Sequence, residues 1–596
     1  MKEFLKMMFA TMCGIILLSV ITGILFMISL VGMIASDSGS TKVKDNSVFV
    51  LKLNGTISER AEEGSPLSMI LGQANMEVMG LDDVLSSIRK AKDEEEIKGI
   101  YLEGGVMSFD SPASAQQVRD ALEDFKQSGK WIIAYADNYM QTSYYVASVA
   151  DSIFLNKTGM LELKGLGGKS EYMTGLYEKL GIKYQPVRVG KYKSYVESVT
   201  RKDMSPEDRE QREAFQQGIW QHMLKSIADS RKLQAQQIDQ MVSDSIMAFA
   251  NPEDYLQGKL IDRLMYPEHI KEVIKQKLGL GEDDDINQLT LADMMGVKSK
   301  KKEKGDKIAV YYAYGEIVDE LSSSFMSEHS IVGSTVVEDL NKLAKDDDVK
   351  AVVLRVNSPG GSAVASEQIW HALKNLKAKK PLVVSMGGVA ASGGYMISSP
   401  ADYIFAEPTT ITGSIGIFGL IPNFSGLVTD KLGVTFDGTK TNRYTDFEEN
   451  LVLAKENSEE LKFMQSYVTR GYDTFLTIVS DGRKLTKEQV HEVAQGRVWL
   501  ATDALPIKLV DKLGSLDDAV KKAAELAKIE GEYYPCNYPG KTSWKDTFFA
   551  NEKKGSYLDG ELRNFLGELY EPVLELRRDQ QRNRLQARLP YSTLMK

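Results

Sequence analysis

Short apolar runs alternate with stretches of helical period along most of the chain. Ile308-Ala309-Val310-Tyr311-Tyr312 reads as a strand, and a helix is predicted around 336–345. Residues 351–356 form a continuous apolar run broken only by Arg355, a pattern that suits a strand buried in a parallel sheet. A helical period over 366–376 and a further strand at 382–386 follow. Strands alternating with helices predict βα units and an α/β fold.

The two ends break this pattern. Residues 7–36 carry no charged side chain. A helix needs about 20 such residues to cross a bilayer, so the run predicts an uncleaved transmembrane anchor. Lys2 and Lys6 precede it, and Asp37, Lys42, Lys44 and Asp45 follow. The lysines on both sides make the charge bias weak. The short flank before a single span predicts the N-terminus inside and everything after residue 36 outside. Near the other end, Leu562, Phe565, Leu566, Leu569, Val573 and Leu576 recur at helical spacing, followed by Arg577, Arg578, Arg582, Arg584 and Arg588. This predicts a C-terminal helical extension docked on the core or on another subunit. A helix lying on a membrane surface is the alternative.

Between the ends the chain repeats itself. Ile97-Lys98-Gly99-Ile100-Tyr101-Leu102 returns as Val349-Lys350-Ala351-Val352-Val353-Leu354, 252 positions later. Lys179-Leu180-Gly181-Ile182 and Arg231-Lys232-Leu233 return at the same offset, as Lys431-Leu432-Gly433-Val434 and Arg483-Lys484-Leu485. Two homologous domains are therefore expected, at 47–280 and 305–536. An anchor (1–46), a solvated charged linker (281–304) and the extension (537–596) complete the organisation.

Composition narrows the chemistry. A formal net charge of −10 over 596 residues argues against a general nucleic-acid binder. Two cysteines, Cys13 and Cys536, exclude a disulfide framework and a four-cysteine zinc site, and five scattered histidines leave little for a metal cluster. No metal or cofactor is expected. Any catalysis falls to Ser, Thr, Lys, Tyr or carboxylates.

Three loops carry candidate chemistry. Asn357-Ser358-Pro359-Gly360-Gly361-Ser362 lies between a strand and a helix, where Gly360 and Gly361 let the backbone approach a ligand and free N–H groups can hold an oxyanion. Ala390-Ala391-Ser392-Gly393-Gly394-Tyr395 places Ser392 at a strand-to-helix turn, with the N–H of Gly393 able to join the oxyanion site. Thr412-Gly413-Ser414-Ile415-Gly416 is a second glycine-flanked serine. Taken alone, each is as readily a structural turn.

Comparison of the halves sharpens the choice. With Tyr144 matched to Tyr395 and Asp151 to Asp402, Ser392 falls opposite Gln141 and Ser414 opposite Leu163. Conversely, Lys193 in Val189-Gly190-Lys191-Tyr192-Lys193-Ser194 falls opposite Thr445. Each half keeps what the other lacks, which a Ser/Lys dyad would explain. A neutral lysine can accept a serine proton, and burial between two apolar domains disfavours its ammonium form. Ser414 could hydrogen-bond the lysine nitrogen and orient it.

The combination N-S-P-G-G-S, A-S-G-G-Y, T-G-S-I-G-I-F-G and V-G-K-Y-K-S resembles the signal peptide peptidase A (protease IV) family in its long, duplicated form. The resemblance implies a Clp protease/crotonase-like fold, a β-β-α spiral, in both domains. It implies Ser392 as nucleophile, Lys193 as general base and Ser414 as the serine bonded to that lysine. It further implies a bacterial inner-membrane protein, homotetrameric and with its site on the periplasmic side, that degrades cleaved signal peptides and other apolar peptides. A crotonase-like acyl-CoA enzyme and a non-catalytic membrane scaffold are the rival readings. An intact anchor disfavours the first, because CoA is cytoplasmic, and labelling of Ser392 by a serine-reactive inhibitor would argue strongly against the second.

Overall fold

The computed structural model describes residues 41–61, 78–245, 247–300, 304–320, 329–453, 458–541 and 586–588, together with Gly14 and Ile21. Apart from Gly14 and Ile21, the uncharged run 7–36 of the expected membrane anchor lies outside the described residues, as does the Leu562–Leu576 stripe. Among the described residues, no helix is long and apolar enough to cross a membrane.

Each half is built on a twisted, mainly parallel sheet. In the first, the strand order is Val78–Gly80, Ser47–Ser58, Ile97–Phe109, Trp131–Ala136, Ser152–Leu155, Arg263–Leu264, with Asn287–Leu289 also on Ser47–Ser58. In the second, Asp306–Tyr314, Val349–Ser358, Leu382–Ala391, Tyr403–Ala406 and Lys512–Leu513 follow one another in the same sequence of neighbours. The central strands are apolar because both faces are covered; Leu382–Ala391 is buried at every position.

The duplication extends to individual polar contacts. Asp151 accepts from the backbone N–H of Ile132, and Asp402 from that of Leu382. Tyr144 donates to the Leu260 carbonyl, and Tyr395 to that of Leu509. Arg231 pairs with Asp262 at 2.7 Å and Arg483 with Asp511 at 2.6 Å. The long helices Pro206–Arg231 and Glu459–Arg483 both start at a serine cap, Ser205 or Ser458, and stop at a left-handed lysine, Lys232 or Lys484.

The halves are not two beads on a string. Lys183–Arg188 of the first pairs antiparallel with Phe418–Asn423 of the second, from Arg188 opposite Phe418 to Lys183 opposite Asn423. Val389, Ala391, Ile411, Val498 and Leu500 of the second half pack into the first half's core, while Val187 packs into the second's.

Two expectations need correction. The charged stretch 281–304 is not merely a solvated linker. Asn287–Leu289 adds a strand to the first sheet, and the capped helix Leu291–Gly296 buries Met294 completely. Its charges flank the apolar residues Leu289, Met294 and Val297, and those residues decide its placement. The C-terminal extension is also not helical throughout. Tyr533–Tyr538 runs past the expected boundary as a strand on Asp306–Tyr314. Gln586–Arg588 is a strand lying between Gly360–Ser362 and Phe418, antiparallel to both, because that slot offers unpaired backbone on two sides.

Candidate active site

Ser392 follows the last residue of the Leu382–Ala391 strand and precedes the short helix Gly393–Ser398. The chain reverses there so tightly that Ser392 takes φ 56° and ψ −115°, held by its N–H on the Gly413 carbonyl at 2.8 Å. A non-glycine residue in this region is strained and persists only where its surroundings fix it. Ser414 is also at positive φ, 50°, and its N–H is fixed by the Arg497 carbonyl. Both serines are fully buried.

Lys193 reaches them from the other half. Its loop is clamped to the second half: the Tyr192 N–H donates to the Gln495 carbonyl, while Gln211 donates to the Tyr192 carbonyl and accepts from Val498 N–H. The Lys193 carbonyl accepts from Arg188, whose strand is the one that crosses the seam. From this anchor Nζ lies 2.8 Å from Ser392 Oγ, 3.0 Å from Ser414 Oγ and 3.1 Å from the Ser414 carbonyl oxygen. All three residues belong to one chain. The Phe418 ring closes the apolar side, its centroid 5.9 Å from Nζ.

Protonation decides what this cluster can do. Lys193 has no exposed surface, and burial alone drives its pKa well below that of a free lysine. No carboxylate counteracts this burial. A neutral amine has two N–H bonds and one lone pair. The Ser414 carbonyl can only accept, so one N–H goes there, and the Ser414 hydroxyl can take the second. The lone pair is then left facing Ser392 Oγ–H. In that state the lysine is a proton acceptor for one hydroxyl alone.

The Gly360–Ser362 segment, which carries two of the glycines expected to hold an oxyanion, packs against the Gly393–Ser398 helix. Gly360 and Gly361 have φ of 97° and 156°; a side chain on Gly361 would strike the Ile317 carbonyl, its Cβ 2.0 Å from the oxygen. The Gly360 N–H is taken up by Ser358 Oγ at 3.2 Å. Gly393 is the first residue of its helix, so its N–H has no acceptor within the helix. In the first half the corresponding positions are put to structural use. Gln141 there closes a turn by bonding the backbone of Lys164 and Gly165, Leu163 is core, and Ile97–Phe109 runs through Gly104-Gly105 without a glycine turn. Thr445, opposite Lys193, is solvent-exposed.

Sequence reasoning missed several supporting residues. Gly496 admits the Lys193 backbone, and Asn357, inside the quoted glycine motif, ties that motif to the first half through Glu59 and Asp110. A glycine in a loop or an amide at a strand end carries no sequence mark of its distant partner.

Matches to known protein families fall in both halves. Peptidase family S49 matches residues 124–281 and again 374–530, and Clp protease matches residues 310–410. Protease 4 of Haemophilus influenzae is 36% identical over 517 residues, 84% of this chain and 83% of that protein. Protease 4 of Salmonella typhi is 37% identical over 80% of this chain and 75% of its own length. A chloroplastic serine protease SPPA of Arabidopsis thaliana is 28% identical over 81% and 72%.

Proposed function

The chain belongs to peptidase family S49, and on that premise we propose that it is a membrane-anchored serine endopeptidase with Ser392 as nucleophile and Lys193 as general base. The observation that carries this reading is the 2.8 Å contact between Lys193 Nζ and Ser392 Oγ, with the lysine buried and no carboxylate compensating it.

In the proposed reaction Ser392 Oγ attacks the scissile carbonyl carbon while its proton passes to Lys193 Nζ. The carbonyl oxygen becomes an oxyanion facing the Gly393 N–H and the Gly361 side of the glycine turn, the Gly360 N–H being held by Ser358 Oγ. As the intermediate collapses, the Lys193 ammonium returns the proton to the leaving amine, and the acyl group stays on Ser392. Water then attacks the ester, giving its proton to Lys193. The second intermediate releases the carboxylic acid and restores the Ser392 hydroxyl with that proton. Ser414 holds two of the amine's positions throughout, which keeps its lone pair aimed.

Substrates are proposed to be apolar peptides, chiefly signal peptides left in the membrane after cleavage. The uncharged run over 7–36 supports a single-pass anchor, and the short flank before it favours the catalytic halves on the extracytoplasmic side. A dry pocket also follows from the chemistry, since polar lining or trapped water would restore the ammonium form. The slot beside Gly360–Ser362 pairs with backbone, so an extended peptide can bind there with little demand on its side chains. The homotetramer implied by the resemblance is part of the same proposal and is tested by sedimentation in detergent.

Hydrolysis of a leucine-rich peptide by wild type, Ser392→Ala and Lys193→Ala decides the matter, together with labelling by a fluorophosphonate. Activity and labelling in wild type alone are expected. Hydrolysis by folded Ser392→Ala would overturn the assignment.

A further inference from the structure

The strand that ends in Ser392 does not run regularly. Val356 pairs with Met386, but Ser358, two residues on, pairs with Ala390, four residues on. Gly387–Val389 therefore bulge out of the ladder. Bulges redirect a strand, and this one lies just before the nucleophile turn. The bulge is bridged by a side chain: Asn357 Oδ1 accepts from the Val389 N–H at 3.1 Å. Asn357 is also the residue from which the Ser358-Pro359-Gly360-Gly361 turn departs. One amide thus ties the nucleophile's strand to the proposed oxyanion turn.

That amide is held from the other half. Asn357 Nδ2 donates to Glu59 Oε2 and to Asp110 Oδ2, both at 3.0 Å. Glu59, 3% exposed, is fixed by buried Arg355, whose Nε lies 2.6 Å from Oε1. Arg355 in turn bonds Gln117 and Ser385. Asp110 is fixed by the hydroxyls of Ser114 at 2.5 Å and Ser111 at 3.3 Å, at the start of the Pro112–Lys126 helix. The two glycines of the bulge make room for this approach. A Cβ on Gly388 would lie 2.1 Å from Ser111 Cβ, and one on Gly387 3.0 Å from Glu59 Oε2.

We propose that Glu59 and Asp110 are positioning residues of the active site, acting through Asn357 to set the bulge that aims Ser392 and the turn that faces its oxyanion. The first half then contributes twice to a site whose nucleophile lies in the second: Lys193 supplies the proton acceptor, and this carboxylate pair supplies the geometry. The inference rests on Ser392 being the nucleophile. Both donors of the Asn357 NH2 group point at carboxylates, so its carbonyl oxygen is committed to Val389; without them the amide is free to turn over and place NH2 against N–H.

The test uses the full-length protein in detergent, with active sites titrated by a fluorophosphonate so that turnover is counted per labelled Ser392. Asp110→Asn exchanges one acceptor oxygen for a donor of the same shape. Asn357→Ala removes the relay and leaves the Arg355–Glu59 pair intact, so it serves as the second arm if the first folds poorly. Both are expected to lower kcat per titrated site at least tenfold with KM within about twofold, because misplacement by a fraction of an ångström weakens the transition state more than the bound peptide. A purely structural role would lower the titratable fraction and the melting temperature while leaving kcat per site unchanged in either variant, and that result would overturn the proposal. Failure of wild-type Ser392 to be labelled would instead remove the reading beneath it.

Discussion

Gly496 packs against Lys193 with no space for a methyl group: a Cβ on Gly496 would lie 2.7 Å from both the backbone nitrogen and Cβ of Lys193. Gly496 also holds φ 80°, where an added side chain is strained on its own account. Its N–H is bonded to Ile415, next to Ser414, so a shift here moves the lysine relative to both serines.

Gly496→Ala is therefore expected to lower kcat/KM by about a hundredfold, since roughly 1 Å of misplacement can cost that much. Circular dichroism should stay native, with a melting temperature a few degrees lower. Activity within twofold of wild type would show that the lysine loop can retreat freely.

Lys193 sets opposing demands on stability and activity. Its folded pKa lies well below the ordinary lysine value while the unfolded chain keeps that value. Between the two, the unfolded state binds the extra proton, so wild-type stability rises with pH through that window. Lys193→Met removes the penalty. It is expected to be inactive yet to melt several degrees higher at pH 7, the gap closing as pH approaches about 10. Melting curves across pH check the sign.

The pH profile of the wild type follows from the same group. Only the neutral amine accepts a proton, so kcat/KM should fall on the acid side as Lys193 becomes protonated. Lys193→Arg should be as inactive as Lys193→Ala, because a guanidinium stays charged. Hydrolysis assays of the three proteins from pH 5 to 10 decide this.

The two serines should separate. Ser392→Ala deletes the oxygen proposed to attack and is expected to cost at least ~10³-fold in kcat. Ser414→Ala deletes one partner of Nζ and keeps the carbonyl at 3.1 Å, so a loss of roughly ten- to a hundredfold is expected. A more damaging Ser414 variant, equally well folded, would reverse their roles.

The Gln586–Arg588 strand occupies the backbone slot proposed for substrate, with Ala587 opposite Gly361. Ala587→Pro removes a backbone donor from that strand. It should lower KM for a peptide several-fold and leave the acylation rate at saturating substrate unchanged. An unaltered KM would mean that peptides bind elsewhere.

The repeat at a fixed offset, the alternation of strands and helices, and the unequal distribution of Ser392, Ser414 and Lys193 between the halves were all legible in the sequence. They are local patterns, or comparisons of one local pattern with another, and need no knowledge of what lies across the fold. The same locality explains the errors. Charges in 281–304 read as a linker because the buried Met294 and Val297 between them have partners distant in sequence. The arginine-rich tail gave no hint of a strand at 586–588, because that strand exists only by virtue of the slot it pairs with. The tertiary structure alone decided that Lys193 meets Ser392 within one chain, that Ser414 supplies two acceptors, and that Glu59 and Asp110 reach the Asn357 amide across the seam. The physical reason is that hydrogen bonds and desolvation depend on distances of a few ångströms between residues about 200 to 300 positions apart, and only the packing of one half against the other sets those distances.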